Sequence, residues 1–129
     1  MNKSKVVCFL VKNANESVYV LMSYLQYHHT RKRWEPLETQ VQQGESIEHA
    51  ARRCVYENSG LTNVTVNRFL GKTTHELLRG GRHVTHWVLV YTPKEKFHST
   101  SQTLKWLDIA EAKKRAQFEM DRLLLEEIG

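Results

Sequence analysis

Apolar and polar positions along the chain predict strands first, then a helix, then strands and helices again. "KVVCFLVKN" and "SVYVLMSYL" are rich in β-branched and aromatic residues, and "NANES" between them supplies turn formers. That pattern predicts a β-hairpin. "QYHHTRKR" then reads as a polar, basic loop. "RWEPLETQVQQGES" contains Pro36 and Gly44 and little apolar content, which predicts short strands and loop. From Ser46 to Ser59 the period changes. Ile47, Ala50, Ala51, Cys54, Val55 and Asn58 recur at helical spacing, and Gly60 stands ready to end the helix. "NVTVNRFLGKTTHEL" and "HVTHWVLVYT" read as strands joined by the turn "RGGR". "LKWL" is a short apolar segment. "DIAEAKKRAQ" and "EMDRLLLEEI" are helical, with Asp108 as the N-cap of the first. The order predicts a mixed α/β fold, and successive strands argue against a purely parallel sheet.

The length, 129 residues, suits one domain spanning 1–129 with a core that needs no disulfide or metal staple. Hydrophobic residues make up 40% and only two residues are proline, which sets the chain apart from disordered sequences. No apolar run approaches the roughly 18 residues of a membrane span. The N-terminal run Val6 to Val11 has no small-residue cleavage site after it and reads as a strand, not a signal peptide. Cys8 and Cys54 sit among apolar neighbours and read as buried thiols of a cytoplasmic protein. The net charge of +5 favours anionic ligands, either a phosphate-bearing small molecule or RNA.

Within "GESIEHAARRCVYENSGL", positions 54, 57 and 58 fall inside an arc of about 100° when each helical residue turns by roughly 100°. Carboxylates at all three would converge on one hard cation such as magnesium. Here Glu57 alone is acidic. Asn58 offers one neutral carbonyl oxygen, and Cys54 offers a soft sulfur that matches magnesium poorly.

The segment from Thr39 to Leu61 resembles the box of the Nudix hydrolases, G-x5-E-x7-R-E-U-x-E-E-x-G-U with U apolar. Thr39 stands at the first glycine, Glu45 at the first glutamate and Arg53 at the arginine. Cys54 replaces the next glutamate, Val55 fits the apolar position, Glu57 matches, Asn58 does not, and Gly60 and Leu61 close the pattern. "WEPLET" is similar to the family's Trp-x-x-Pro-Gly-Gly approach without its glycines, and the segment from Leu104 onward is similar to its closing tryptophan and helices. The resemblance implies a Nudix-type α/β/α sandwich with a mixed sheet. It also implies a frame held by Glu45, Arg53 and Gly60. Catalysis and magnesium or manganese binding would fall to Glu57, with Asn58 as a second ligand. Three functions follow as expectations: a binder of a nucleoside-diphosphate-linked compound with weak or absent hydrolysis, an active pyrophosphohydrolase, or an RNA- or protein-binding module. A homodimer is common in that family.

Several residues outside the box carry candidate chemistry. Arg31 and Arg33, in the densest basic stretch, are candidates for contacting substrate phosphates, and Trp34 beside them for stacking on a base. Trp87 and Trp106 are further candidates for stacking on a base, although Trp106 reads rather as core, where the closing helix packs. The seven histidines show no zinc-site spacing.

Overall fold

The computed structural model describes residues 2–14, 16–27, 31–93, 103–116 and 118–129, with the backbone alone for 25–27 and 31–33. In chain order the elements are β1 (Lys3–Ala14), β2 (Ser17–Tyr27), β3 (Arg31–Glu35), β4 (Leu37–Gln40), α1 (Ile47–Ser59), β5 (Thr65–Glu76), β6 (Arg82–Tyr91), β7 (Leu104–Asp108), α2 (Ile109–Arg115) and α3 (Glu119–Ile128). β1 is the centre of the sheet. It runs parallel to β6 from Lys3 opposite His83 to Val11 opposite Tyr91. Its other edge pairs antiparallel with β4 near its start and with β2 near its end. β2 carries β3 and β7, and β5 lies beyond β6, all antiparallel. The sheet is therefore mixed, as the neighbouring apolar runs predict.

The run from Val6 to Val11 is apolar at every position because β1 is covered on both sides. Val6, Cys8 and Leu10 face one layer, where they meet Ala50, Ala51, Cys54 and Val55 of α1. Val7, Phe9 and Val11 face the opposite layer, with Ala112 of α2 and Leu124 and Leu125 of α3. Period-two alternation of one strand thus divides the core between two helical layers. The result is the α/β/α sandwich. Trp106 is partly buried against the core, as expected, but on the α1 side of the sheet and not in the layer of the closing helices.

The "QYHHTRKR" stretch departs from the loop reading. β2 extends to Tyr27 and β3 begins at Arg31, with Tyr27 opposite Arg31 and Leu25 opposite Arg33. Residues 28–30 lie outside the described residues. Charged composition suggested loop, but the backbone of an edge strand pairs whatever charge its sequence carries.

Both ends of α1 are fixed locally. Ser46 accepts a hydrogen bond from the His49 N–H at 3.1 Å. Gly60 takes φ 77°, and its N–H donates to the Tyr56 carbonyl at 2.8 Å. A side chain is strained at that φ, so Gly60→Ala is expected to destabilise the protein by about 1 kcal/mol or more. Urea unfolding measures this, and an unchanged midpoint would contradict the capping account.

Candidate functional site

The loop that enters α1 is organised around one guanidinium. Arg53 Nε donates to Glu45 Oε2 at 2.8 Å and its Nη2 to Glu45 Oε1 at 2.9 Å, a two-pronged pair. Its Nη1 donates to Thr39 Oγ1 at 3.2 Å and also to Glu57 Oε1, while Nη2 reaches the Gln40 carbonyl oxygen. Glu45 in turn accepts from the Gln42 N–H at 3.0 Å and meets His49 Nδ1 at 2.6 Å. Its side chain is only 5% exposed. The Arg53 guanidinium, then the Gln42 amide, hold its carboxyl down at about 2, well below the ordinary range. The same partnership raises the pKa of Arg53 still further. The end of β4, the loop and the helix are thereby tied to a single side chain.

The three positions on the α1 arc point to different fates. The Glu57 side chain is half exposed, and its carboxylate is engaged by Arg53. Cys54 is fully buried, with Cys8 across the interface between β1 and α1. The neighbouring Cys8 thiol, then burial, push the Cys54 thiol well above its usual range, so it stays protonated. Asn58 turns its amide nitrogen back to the Cys54 carbonyl oxygen at 2.8 Å. Among the described residues, no three His, Cys, Asp or Glu side chains converge where a metal ion could sit. The donor set therefore does not fit magnesium, which prefers several hard oxygen ligands.

A cavity of about 600 Å³ opens on the other side of the sheet, between the strands and α3. Its walls include Lys5, Glu35, Glu38, Trp87, Phe118 and Asp121. Glu38 makes a 3.4 Å ion pair with Lys5. Asp121 is buried, and burial raises its carboxyl to about 6. The charges of Glu35 and Glu38 push it the same way, against Trp87 and Lys5. The Trp87 Nε1–H is itself buried and finds no partner of good hydrogen-bond geometry among the described residues. It nevertheless acts on the Asp121 carboxyl as a hydrogen-bonding neighbour that favours the charged form. The cavity thus presents a buried donor and a carboxyl poised near neutrality, both able to meet polar groups of a ligand.

The NUDIX domain family model matches residues 1–127. The chain belongs to the Nudix family. No curated protein sequence matches it. Among solved structures, an Ap4A hydrolase of C. elegans aligns with TM-score 0.78 and 18% identity over 98% of this chain and 94% of its own. The E. coli dihydroneopterin triphosphate pyrophosphohydrolase aligns with TM-score 0.76 and 19% identity over 98% and 96%. The NUDIX domain of Shewanella oneidensis NrtR, complexed with ADP ribose, aligns with TM-score 0.73 and 15% identity over 99% and 86%. At these identities the likeness is one of fold.

Within the Nudix box the structure brings Glu45, Arg53 and Glu57 together, with Asn58 and Gly60 at the helix end. Trp34 lies elsewhere. Its ring packs with the α2-side core and against Tyr24, 4.9 Å between centroids, and it does not line the large cavity. Arg31 and Arg33 precede it on β3, a strand rather than the expected loop. Of the cavity residues, Trp87 was expected from sequence as a candidate for stacking on a base, whereas Glu35, Glu38 and Asp121 were not singled out. One signal was available: Glu38 stands at a glycine of the family's approach motif. Asp121 offered none beyond its place on the buried stripe of α3 with Leu124 and Leu125.

Replacing Arg53 by alanine strands the buried Glu45 carboxylate, and the expected fall in Tm is on the order of 5 °C. Lysine at that position should recover less than half, because it lacks the two-pronged donor geometry. Thermal melts decide this, and an unchanged Tm in Arg53→Ala would contradict the hub.

Asp121 makes a pH prediction of opposite sign to Glu45. A carboxyl raised from 3.8 to about 6 adds stability below its ordinary pKa and loses it as pH rises through the folded value. One lowered from 4.5 to about 2 adds stability above its ordinary pKa and loses it as pH falls toward 2. Asp121→Asn should therefore raise Tm relative to the parent at about pH 7.5 and leave it unchanged below about pH 3.5. A loss of stability at both pH values would contradict the burial account.

Proposed function

We propose that this Nudix domain binds a nucleoside-diphosphate-linked compound and hydrolyses it slowly or not at all. The observation that carries the reading is the engagement of the three arc positions. The Glu57 carboxylate is held by Arg53, Cys54 is buried and protonated, and Asn58 is turned onto the helix backbone. Catalysis in this family would ask Glu57 and Asn58 to present oxygens to a divalent ion. Here Glu57 would first have to leave Arg53, and its partners on the arc carry no charge. Two further points support binding. The family has structural neighbours named for Ap4A, ADP ribose and dihydroneopterin triphosphate, which share a heterocycle joined to phosphates. The cavity between the sheet and α3 has the volume of a small-molecule site, with the buried Trp87 indole N–H and the Asp121 carboxyl in its wall. In this reading Glu45, Arg53 and Gly60 keep the frame, and the cavity receives the heterocycle.

The test is a panel of nucleoside-diphosphate-linked compounds with magnesium or manganese, followed by phosphate release and by thermal shift. The expected result is a raised Tm with turnover near background. Turnover comparable to that of working Nudix hydrolases would instead favour the active-enzyme reading. A sharper test restores the lost charge. Cys54→Glu with Asn58→Glu gives three carboxylates on one arc, which can fix a divalent ion against a pyrophosphate. The double variant is expected to lose stability without metal through mutual repulsion and to regain it with magnesium, together with measurable phosphoanhydride hydrolysis. If the parent already equals it in rate and in magnesium-induced stabilisation, the depleted-site reading is wrong.

A further inference from the structure

We propose that the surface built on Tyr24 and Trp34 binds single-stranded nucleic acid, an activity separate from the nucleoside-diphosphate site. The two rings sit 4.9 Å apart with their planes tilted by 52°, so each presents part of its surface instead of covering the other. Two open grooves meet at this pair. One, of about 330 Å³, is lined by Thr103 and Lys105. The other, of about 570 Å³, is lined by Glu111, Lys114 and Arg115. Lys105, Lys114 and Arg115 are all exposed. Glu111 is the one acid on either groove among the described residues, and it pairs with Arg115.

Basic residues at the end of α2 have an ordinary explanation, since cations complement the C-terminal end of a helix. That explanation does not reach Lys105, which lies on β7 across from Met22 of β2. Cationic residues of β7 and α2 thus border one aromatic pair. That is the arrangement by which proteins hold single strands: bases stack on aromatic faces while lysine and arginine follow the phosphates. Because both grooves are lined by the pair, a strand of several nucleotides can occupy them together, whereas a mononucleotide fills one. A duplex has its base faces covered and gains only the charge term.

The site is also distinct from the Nudix box. Trp34 belongs to the core layer shared with α2 and α3, whereas Arg53 and Glu57 lie on α1 in the opposite layer.

The experiment measures fluorescence anisotropy of labelled twelve-nucleotide RNA and DNA single strands with the full chain. The parent is compared with Lys105→Glu combined with Lys114→Glu, and with Trp34→Ala. Single strands should bind with an affinity that falls as salt rises. The charge reversal, at exposed positions that leave folding intact, should weaken binding by about tenfold or more at low salt. Trp34→Ala should weaken it further if circular dichroism shows the variant folded; the lysine variant carries the test if it is not. Thermal shift by nucleoside-diphosphate compounds should persist in the lysine variant, which separates this site from the proposed one. The idea is overturned if the parent does not bind single strands, if the lysine variant binds them equally well, or if a duplex of the same length binds as tightly.

Discussion

The two-pronged pair between Arg53 and Glu45 is the interaction on which the loop, the helix start and the box geometry depend. One guanidinium spends its donors on Glu45, Thr39, the Gln40 carbonyl and Glu57. Glu45 is almost completely covered, so neither partner can be removed without leaving the other poorly solvated. The consequence reaches the chemistry. The same cation that fixes the frame also engages Glu57, the acid this arc retains. A working divalent site would compete with Arg53 for that carboxylate, with no neighbouring charge on Cys54 or Asn58 to help it.

Cys54 and Asn58 both suit the packing around them. Cys54 faces Cys8 and the α1-side core, where a thiol is a small hydrophobe and a carboxylate would need a cation or water. Asn58 donates to the backbone of its own helix, a local bond that suits a helix end more than a metal. The polar chemistry of the molecule is instead concentrated across the sheet. There Glu35, Glu38, Lys5 and Asp121 surround a cavity, with the Trp87 indole in its wall.

Much of the fold was legible because it follows from period and punctuation. The unbroken apolar run of β1 signals a strand covered on both faces, and the spacing from Ile47 to Asn58 with Ser46 and Gly60 at its ends signals α1. The basic stretch before Trp34 misled because charge says "exposed" and not "unpaired": Arg31 to Arg33 belong to a strand. The box frame was legible because its partners lie within one short segment. The cavity was not, because Lys5, Glu35, Trp87 and Asp121 come from four separate elements or element ends and meet only after the sheet forms. Trp34 shows the same limit, since nothing in its neighbours along the chain reveals Tyr24 beneath its ring.

The proposed reading stands or falls on whether the box holds a divalent ion, and manganese reports this directly through its free-ion electron paramagnetic resonance signal. The account predicts that the parent protein, with no nucleotide compound present, leaves the signal of micromolar manganese undiminished. A stoichiometric loss of free signal that disappears in Glu57→Gln would contradict it.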